Sequence, residues 1–241
     1  MQTQLIASIA NTPQGQEADA ILRSCVHCGF CTATCPTYQL LGDEDDGPRG
    51  RIYLIKAVLE GNQATQKTQQ HLDRCLTCRS CETTCPSGVN YHRLLDIGRE
   101  EVEKQVGRSP FQAIIRWLLV TIMPRRWLFS SLMALGQLFR WALPPVLKEK
   151  VPPKTAYNRA TPEAQHRRKV IMLEGCVQPA MAPNINAASR RVLDKLGVSI
   201  DQRGKTGCCG ALRHHLNAHD GALNDMKRNI DTWLTLLDRW C

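Results

Sequence analysis

Eight cysteines of this 241-residue chain fall into two runs of one form: Cys25, Cys28, Cys31 and Cys35 before Pro36, and Cys75, Cys78, Cys81 and Cys85 before Pro86. Each run reads C-x2-C-x2-C-x3-C-P, every cysteine of the second lies 50 residues after its counterpart, and Thr34-Cys35-Pro36 recurs as Thr84-Cys85-Pro86. Two residues between cysteines let three thiolates reach three irons of a [4Fe–4S] cube as the backbone curls round one corner. In runs of this type the fourth cysteine serves the other cluster. The spacing therefore assigns Cys25, Cys28, Cys31 and Cys85 to one cluster, and Cys75, Cys78, Cys81 and Cys35 to a second. Pro36 and Pro86 turn the chain away after each crossing ligand, and Gly29 lets the backbone approach its cluster. A pair of structural zinc sites is the competing reading, but neither the third cysteine of each run nor the terminal Cys-Pro is a requirement of zinc. His27 falls inside the first run, where the cysteine set is already complete, so it is expected to shape the cluster's surroundings or face solvent; Arg79 in the second is expected to moderate the cluster's negative charge.

These loops need elements to hold them. Glu17 to Ser24, Arg51 to Glu60 and Tyr91 to Val106 carry apolar residues at helical spacing, Ile52, Ile55, Val58 and Leu59 in the second and Leu94, Leu95, Ile97 and Val102 in the third. Gly42 to Gly50, with Asp43, Glu44, Asp45 and Asp46, reads as a polar loop. No strand is evident between the runs, so residues 1–107 are expected to form an α-helical ferredoxin domain.

From Phe111 to Leu143 the chain turns apolar, but Arg116, Pro124, Arg125, Arg126 and Arg140 interrupt it and no run of about 20 uncharged apolar residues survives. A helical hairpin broken at Pro124 is expected, docked on a partner or a membrane face, or buried against the protein's own domains. Five prolines between Leu143 and Pro162 mark a linker, so residues 108–168 read as a basic apolar arm with a Pro-rich connection. Lys169 to Glu174 then reads as a strand delivering Gly175-Cys176, a helix runs from about Asn184 to Leu196, and Gly197 to Ile200 reads as a second strand. This β–α–β order predicts a small α/β domain over 169–241, and an α+β class for the whole. Cys208 and Cys209 stand between Gly207 and Gly210; with Cys176 they could form one side of a metal or cluster site, against a reading as three buried thiols. His214, His215 and His219 are expected on a solvated helix face.

Charge and compartment narrow the function. The net +9 sits mainly between Arg108 and Lys169, which hold 12 Lys and Arg against 2 Asp and Glu. The excess therefore belongs to the arm, where it suits assembly or an anionic surface. Basic residues do not interleave with aromatics as stacking platforms, so nucleic acid is not an expected partner. Met1 to Ala20 lacks the pattern of a secretory signal, which predicts a cytoplasmic location, where clustered thiols serve metals. No Gly-rich dinucleotide fingerprint, Walker A loop or nucleophile elbow occurs, so no substrate-oxidising site is evident and one-electron transfer is the expected activity.

The paired cysteine runs, Gly47-Pro48-Arg49-Gly50-Arg51-Ile52, and Leu173-Glu174-Gly175-Cys176 followed by Gly207-Cys208-Cys209-Gly210 together resemble the iron–sulfur subunits of bacterial glycolate oxidase (glycolate dehydrogenase). The resemblance implies an α-helical ferredoxin domain followed by cysteine-rich "CCG" modules of the heterodisulfide-reductase type. It also implies two flavin-type partner subunits that oxidise glycolate to glyoxylate, with flavin on those partners only, and onward transfer to a quinone-linked acceptor, with the protein cytoplasmic or peripheral on the inner membrane. Related lactate, glycerol-3-phosphate and heterodisulfide-reductase-type complexes share the pattern. That family closes its module with a further cysteine element and a second module, whereas this sequence stops at Cys241 after Leu236-Leu237-Asp238-Arg239-Trp240. A truncated module is therefore expected, and Cys241 is not counted as a ligand.

Overall fold

Apolar stripes on four helices explain how the first part of the chain closes. In the computed structural model, which describes residues 1–154, 166–201 and 206–238, the helices Pro13–Ser24 (α1), Pro48–Leu59 (α2), Gln66–Asp73 (α3) and Tyr91–Gln105 (α4) surround one core. Leu22, Leu59, Leu94 and Leu95 are wholly enclosed there, each contributing about 1.5–3 kcal/mol by leaving water. α1 starts where Thr12 accepts a hydrogen bond from Gly15 N (3.0 Å) and Pro13 presets φ. α3 starts on a reciprocal capping box between Thr65 and Thr68. α2 and α4 pack closely because Gly98 leaves room: a Cβ there would lie 2.5 Å from Ile55 Cγ1.

The acidic stretch after Gly42 differs from the expected solvated loop. Glu44–Asp46 forms a 3₁₀ turn, and α2 begins at Pro48, three residues before the sequence pattern placed it, with proline in its first turn. Asp46 is fully buried. Its carboxylate meets Arg74 Nη1 at 2.7 Å, His71 Nδ1 at 3.1 Å and Arg51 Nη2 at 3.4 Å. Burial pushes the Asp46 pKa up, yet the hydrogen bonds from His71 and Arg74 outweigh it and hold the carboxyl below its ordinary value. Arg51, also buried, donates through Nε to the His71 carbonyl (2.7 Å), and Arg99 donates to the carbonyls of Leu72 (2.8 Å) and Cys75 (3.0 Å). Two buried guanidinium groups thus satisfy the open carbonyls at the end of α3 and anchor the chain as it enters the second cysteine run.

The chain separates into two compact units, Met1–Ser109 and Pro110–Cys241. In the second, Pro110–Ile122 (α5) and Arg126–Leu138 (α6) break at Pro124, where a helical hairpin is expected, and the pair is bent there by 109°. Among the described residues no single helix is long and apolar enough to cross a membrane, and only this bent pair passes by length and composition. Neither helix has a buried residue, but their arginines are engaged: Arg116 donates to the Leu216 carbonyl (3.0 Å) and Arg126 pairs with Glu174 (2.7 Å). Pro145–Lys150 adds a short helix inside the expected linker, whose Pro162 end lies outside the described residues, as does Cys241. Strands Arg168–Ile171 (β1) and Val198–Asp201 (β2) pair in parallel with Arg168 opposite Val198, and Pro183–Lys195 (α7) crosses between them. The last described helix is His219–Leu237 (α8). The protein is α+β, helix-rich with this small two-stranded sheet.

Candidate iron–sulfur centres

Each cysteine loop in the first unit is bent by residues in the left-handed region on either side of its middle cysteine. His27 (φ 56°) and Gly29 (φ 84°) flank Cys28; Thr77 (φ 52°) and Arg79 (φ 60°) flank Cys78. Alternation of this kind turns successive N–H groups toward a common concave side, the backbone arrangement that receives anions. Only Gly29 adopts such a φ freely, and a left-handed β-branched threonine is a marked outlier that costs about 1–3 kcal/mol. One of these amides already engages sulfur, Thr77 N donating to Cys75 Sγ at 3.5 Å.

The bends bring the cysteines to two cavities that share Pro48, Cys81 and Tyr91 in their walls. The first, about 440 Å³ counting its open mouth, is lined by Cys25, Cys28, Cys31, Cys81 and Cys85. The second, about 400 Å³, is lined by Cys35, Cys75, Cys78 and Cys81. The second cavity thus collects three cysteines of the second run and the fourth of the first, and the first cavity collects three cysteines of the first run with both Cys81 and Cys85 of the second. Cys28 and Cys78, the middle residues, are exposed, while Cys25, Cys35 and Cys81 are buried. Burial, then the neighbouring Cys25, pushes the Cys31 thiol up to about 11; burial, then Cys75, pushes Cys81 up to about 12. At neutral pH these thiols keep their protons unless a metal displaces them, so loading must release protons.

The walls fit an iron–sulfur cluster on other grounds too. Of the polar side-chain atoms shut away from water with no hydrogen-bond partner among the described residues, two belong to residues of these walls: His27 Nε2, beside the first cavity, and Tyr91 Oη, beside both. Sulfide or thiolate sulfur would give such donors an acceptor. His27 packs edge-on to Tyr53 with ring centres 6.1 Å apart, and burial followed by Arg49 holds its pKa below the ordinary value. Arg79 is ion-paired with Glu82 at 2.7 Å. Arg49, tied to Glu44 at 2.6 Å, is the cationic side chain at the wall of the first cavity, and the sequence reading missed it. The stretch Gly47–Arg51 carried the signal, since an Arg-Gly-Arg placed after a proline that starts a helix supplies one arginine outward and one to the core.

In the second unit Cys176 Sγ lies 3.5 Å from Cys208 Sγ, and Cys209 next to them is exposed. Burial pushes the Cys208 thiol up to about 12. Asn229, itself buried, clamps this turn by accepting from Gly207 N (2.8 Å) and donating to the Cys208 carbonyl (2.7 Å). Gly210 is required, because its φ is 83° and a Cβ would stand 2.8 Å from the Ala222 carbonyl oxygen. The three histidines do not share a solvated face: His214 and His219 are half-buried with rings 5.1 Å apart, and only His215 is exposed. The short helix Ala211–His215 ends at Leu216, and the chain turns before α8, which folds the histidines onto one another.

A helical unit that folds two repeated cysteine loops over adjoining cavities, followed in the chain by a cysteine-rich α/β unit, defines an iron–sulfur protein. Residues 21–89 match the 4Fe-4S dicluster domain family, and residues 170–237 match the cysteine-rich domain family. In sequence the chain is similar to glycolate oxidase iron–sulfur proteins: it is 57% identical over 233 residues to the "Glycolate oxidase iron-sulfur subunit" of Escherichia coli (strain K12), covering 97% of this chain and 57% of that protein. It is 30% identical to the "Probable glycolate oxidase iron-sulfur subunit" of Bacillus subtilis (strain 168), over 87% of this chain and 53% of that one. A dihydromethanophenazine:CoB–CoM heterodisulfide reductase component of Methanosarcina mazei is 30% identical, over 79% of this chain and 46% of its own length. The chain thus spans about half the length of the curated relatives it matches. No solved structure matches it.

Proposed function

We propose that this chain is the electron-transfer iron–sulfur part of a glycolate dehydrogenase complex, taking electrons from flavin subunits that oxidise glycolate to glyoxylate and passing them toward a quinone-linked acceptor. The observation that carries the reading is the pair of adjoining cavities, each lined by three cysteines of one run together with cysteines of the other: Cys81 and Cys85 in the first, Cys35 in the second. In this reading Cys25, Cys28, Cys31 and Cys85 hold one [4Fe–4S] cluster, and Cys75, Cys78, Cys81 and Cys35 hold the second. When bound, such clusters supply one-electron transfer and no hydride chemistry. The protein's own residues do the rest. The left-handed bends would aim N–H groups at cluster sulfur, as Thr77 N already does at Cys75 Sγ, the buried Cys25, Cys35 and Cys81 would keep water from the inner side of each centre, and exposed Cys28 and Cys78 would hold it from the solvent side. Val26 and Leu76, occupying the same position of the two repeats, are exposed at 67% and 65% and suit contact with a redox partner at each mouth.

The organisation that goes with this function is a dicluster domain over 1–107, an arm and linker over 108–168 and a partial cysteine-rich domain over 169–241. Cys176, Cys208 and Cys209 are candidate metal ligands of the last. The complex would be cytoplasmic, with the basic arm available to the inner-membrane face. The likeness to a heterodisulfide reductase component supports a second reading, in which the same relay serves a related lactate, glycerol-3-phosphate or heterodisulfide complex. Co-purification with candidate flavin subunits, followed by EPR after adding glycolate, separates the two. Glycolate-driven appearance of reduced-cluster signals is expected; reduction by another of these substrates and not by glycolate would move the assignment to the second reading.

A further inference from the structure

Cys35, the crossing ligand of the second centre, is buried and has a side-chain hydroxyl at its sulfur: Thr37 Oγ1 lies 3.2 Å from Cys35 Sγ. Thr37 is held from two sides, donating to the Asp46 carbonyl (2.7 Å) and accepting from Arg51 Nη1 (3.1 Å). Arg51 is fixed in turn by the His71 carbonyl and the Asp46 carboxylate. Both Thr37 and Arg51 line the second cavity, and neither lines the first. While Cys35 is a thiol, its S–H can donate to Thr37 or to the Asp46 carbonyl, 3.8 Å away. A thiolate on iron has no hydrogen and only accepts. The one hydrogen of Thr37 then has two acceptors in reach, and the charged one makes the stronger bond. Ser87, the counterpart of Thr37 in the repeat, lines the first cavity but makes no hydrogen bond to Cys85 among the described residues.

We propose that Thr37 tunes the second centre: once Cys35 binds iron, the Thr37 hydroxyl turns from the Asp46 carbonyl to the Cys35 sulfur and, backed by Arg51, raises the reduction potential there. This rests on the ligand assignment above and deepens it. A donor to ligand sulfur stabilises the more negative, reduced form more than the oxidised one, so the centre it touches is easier to reduce. Arg51 strengthens the effect, because a hydroxyl that accepts a bond from a cation is polarised toward giving its own hydrogen. Thr37 neither loses its proton nor changes oxidation state; it sets how firmly the second centre holds the electron that passes through.

The test is an EPR-monitored redox titration of the iron-loaded full chain and of its Thr37→Val, Thr37→Ala and Thr37→Ser variants, with iron counted in each. The signal lost from Cys78→Ala marks the second cluster. In the valine and alanine variants the ratio of reduced to oxidised second cluster at a fixed potential is expected to fall about tenfold, a drop of about 59 mV, with the first cluster unchanged. Thr37→Ser keeps the hydroxyl and is expected to keep the wild-type potential; a serine variant that falls as far as valine makes the effect one of packing and overturns the proposal. Unchanged potentials in hydroxyl-free variants that hold about eight iron atoms overturn the role of Thr37 and leave the ligand assignment standing. Loss of the second cluster from both hydroxyl-free variants overturns it too, since the hydroxyl would then serve loading and not potential. Wild-type protein that binds no iron breaks the assignment itself.

Discussion

The first unit encloses seventeen apolar side chains in one cluster, and both cysteine loops lie against it, with Cys25 and Cys81 counted among its members. In the second unit Val198, Cys208, Ala222 and Leu236 are the buried apolar side chains among the described residues. There the cysteine turn is held by polar groups instead: Asn229 on its backbone, and Asp225 between Arg213 (2.6 Å) and Arg228 (2.9 Å) beneath it. A packed core fixes backbone position to a fraction of an ångström because interiors are close-packed. A hydrogen-bonded clamp fixes direction but leaves the surrounding faces of α7 open, where Ile185 and Val192 remain exposed. The first set of cysteines is therefore presented as a finished cradle, and the second as a turn that keeps two sulfurs close.

Removing a sulfur from each set gives the largest contrast. Cys31→Ser is expected to cost one whole cluster, dropping iron from about eight to about four atoms per chain, with one reduced-state EPR signal lost. Cys208→Ser is expected to leave both dicluster signals at full intensity. Equal iron loss from the two variants would mean that the units are not separate metal sites, and the contrast would collapse.

Next in size is the buried charge. Asp46→Ala strands Arg51 in the core of the first unit without its carboxylate, which is expected to cost about 3–5 kcal/mol. Asn229→Ala in the second unit removes a neutral clamp and strands no charge, at about 1–3 kcal/mol. Urea unfolding of the two variants ranks them, and a larger loss for Asn229→Ala would reverse the comparison. The Asp46 carboxyl has a lowered pKa in the fold, so its contribution is present above the unfolded-state value of about 3.9 and is lost as pH falls through the lower folded value. Wild-type stability of the first unit should therefore fall on acidification below about pH 4, and Asp46→Asn should remove that part of the slope.

How far the sequence carries depends on whether a feature is periodic. The repeated cysteines, the helix of Tyr91–Gln105 and the parallel β–α–β order were legible because each has a spacing that matches a geometry. Asp46 was not: four acidic residues in a row after glycine look solvated, and only the fold brings Arg51, His71 and Arg74 around the fourth of them. The helix Gln66–Asp73 escaped as well, having a single wholly enclosed apolar residue, Leu72, and starting on a Thr-x-x-Thr box instead of the usual Thr-x-x-Glu. Tyr91 read as the start of a helix, and nothing in its neighbours marked it as a wall between two cavities.

The finest test lies within the first unit, where the two loops solve one backbone problem with different residues. Gly29 and Arg79 are repeat partners, as are His27 and Thr77, and all four have positive φ. Thr77→Gly relieves a left-handed strain of about 1–2 kcal/mol while adding about 0.5–1 kcal/mol of unfolded-state freedom, so a net gain of up to about 1 kcal/mol is expected. Gly29→Ala carries the opposite sign: φ is 84°, and the new Cβ would stand 2.7 Å from Arg49 Nη1, the mobile end of a side chain that can shift. A loss of about 1–2 kcal/mol is expected there, from backbone more than from contact. Denaturant midpoints of the two variants should move in opposite directions. If both fall, the Thr77 conformation is supported by its surroundings as firmly as glycine supports its own, and the second loop is no more strained than the first.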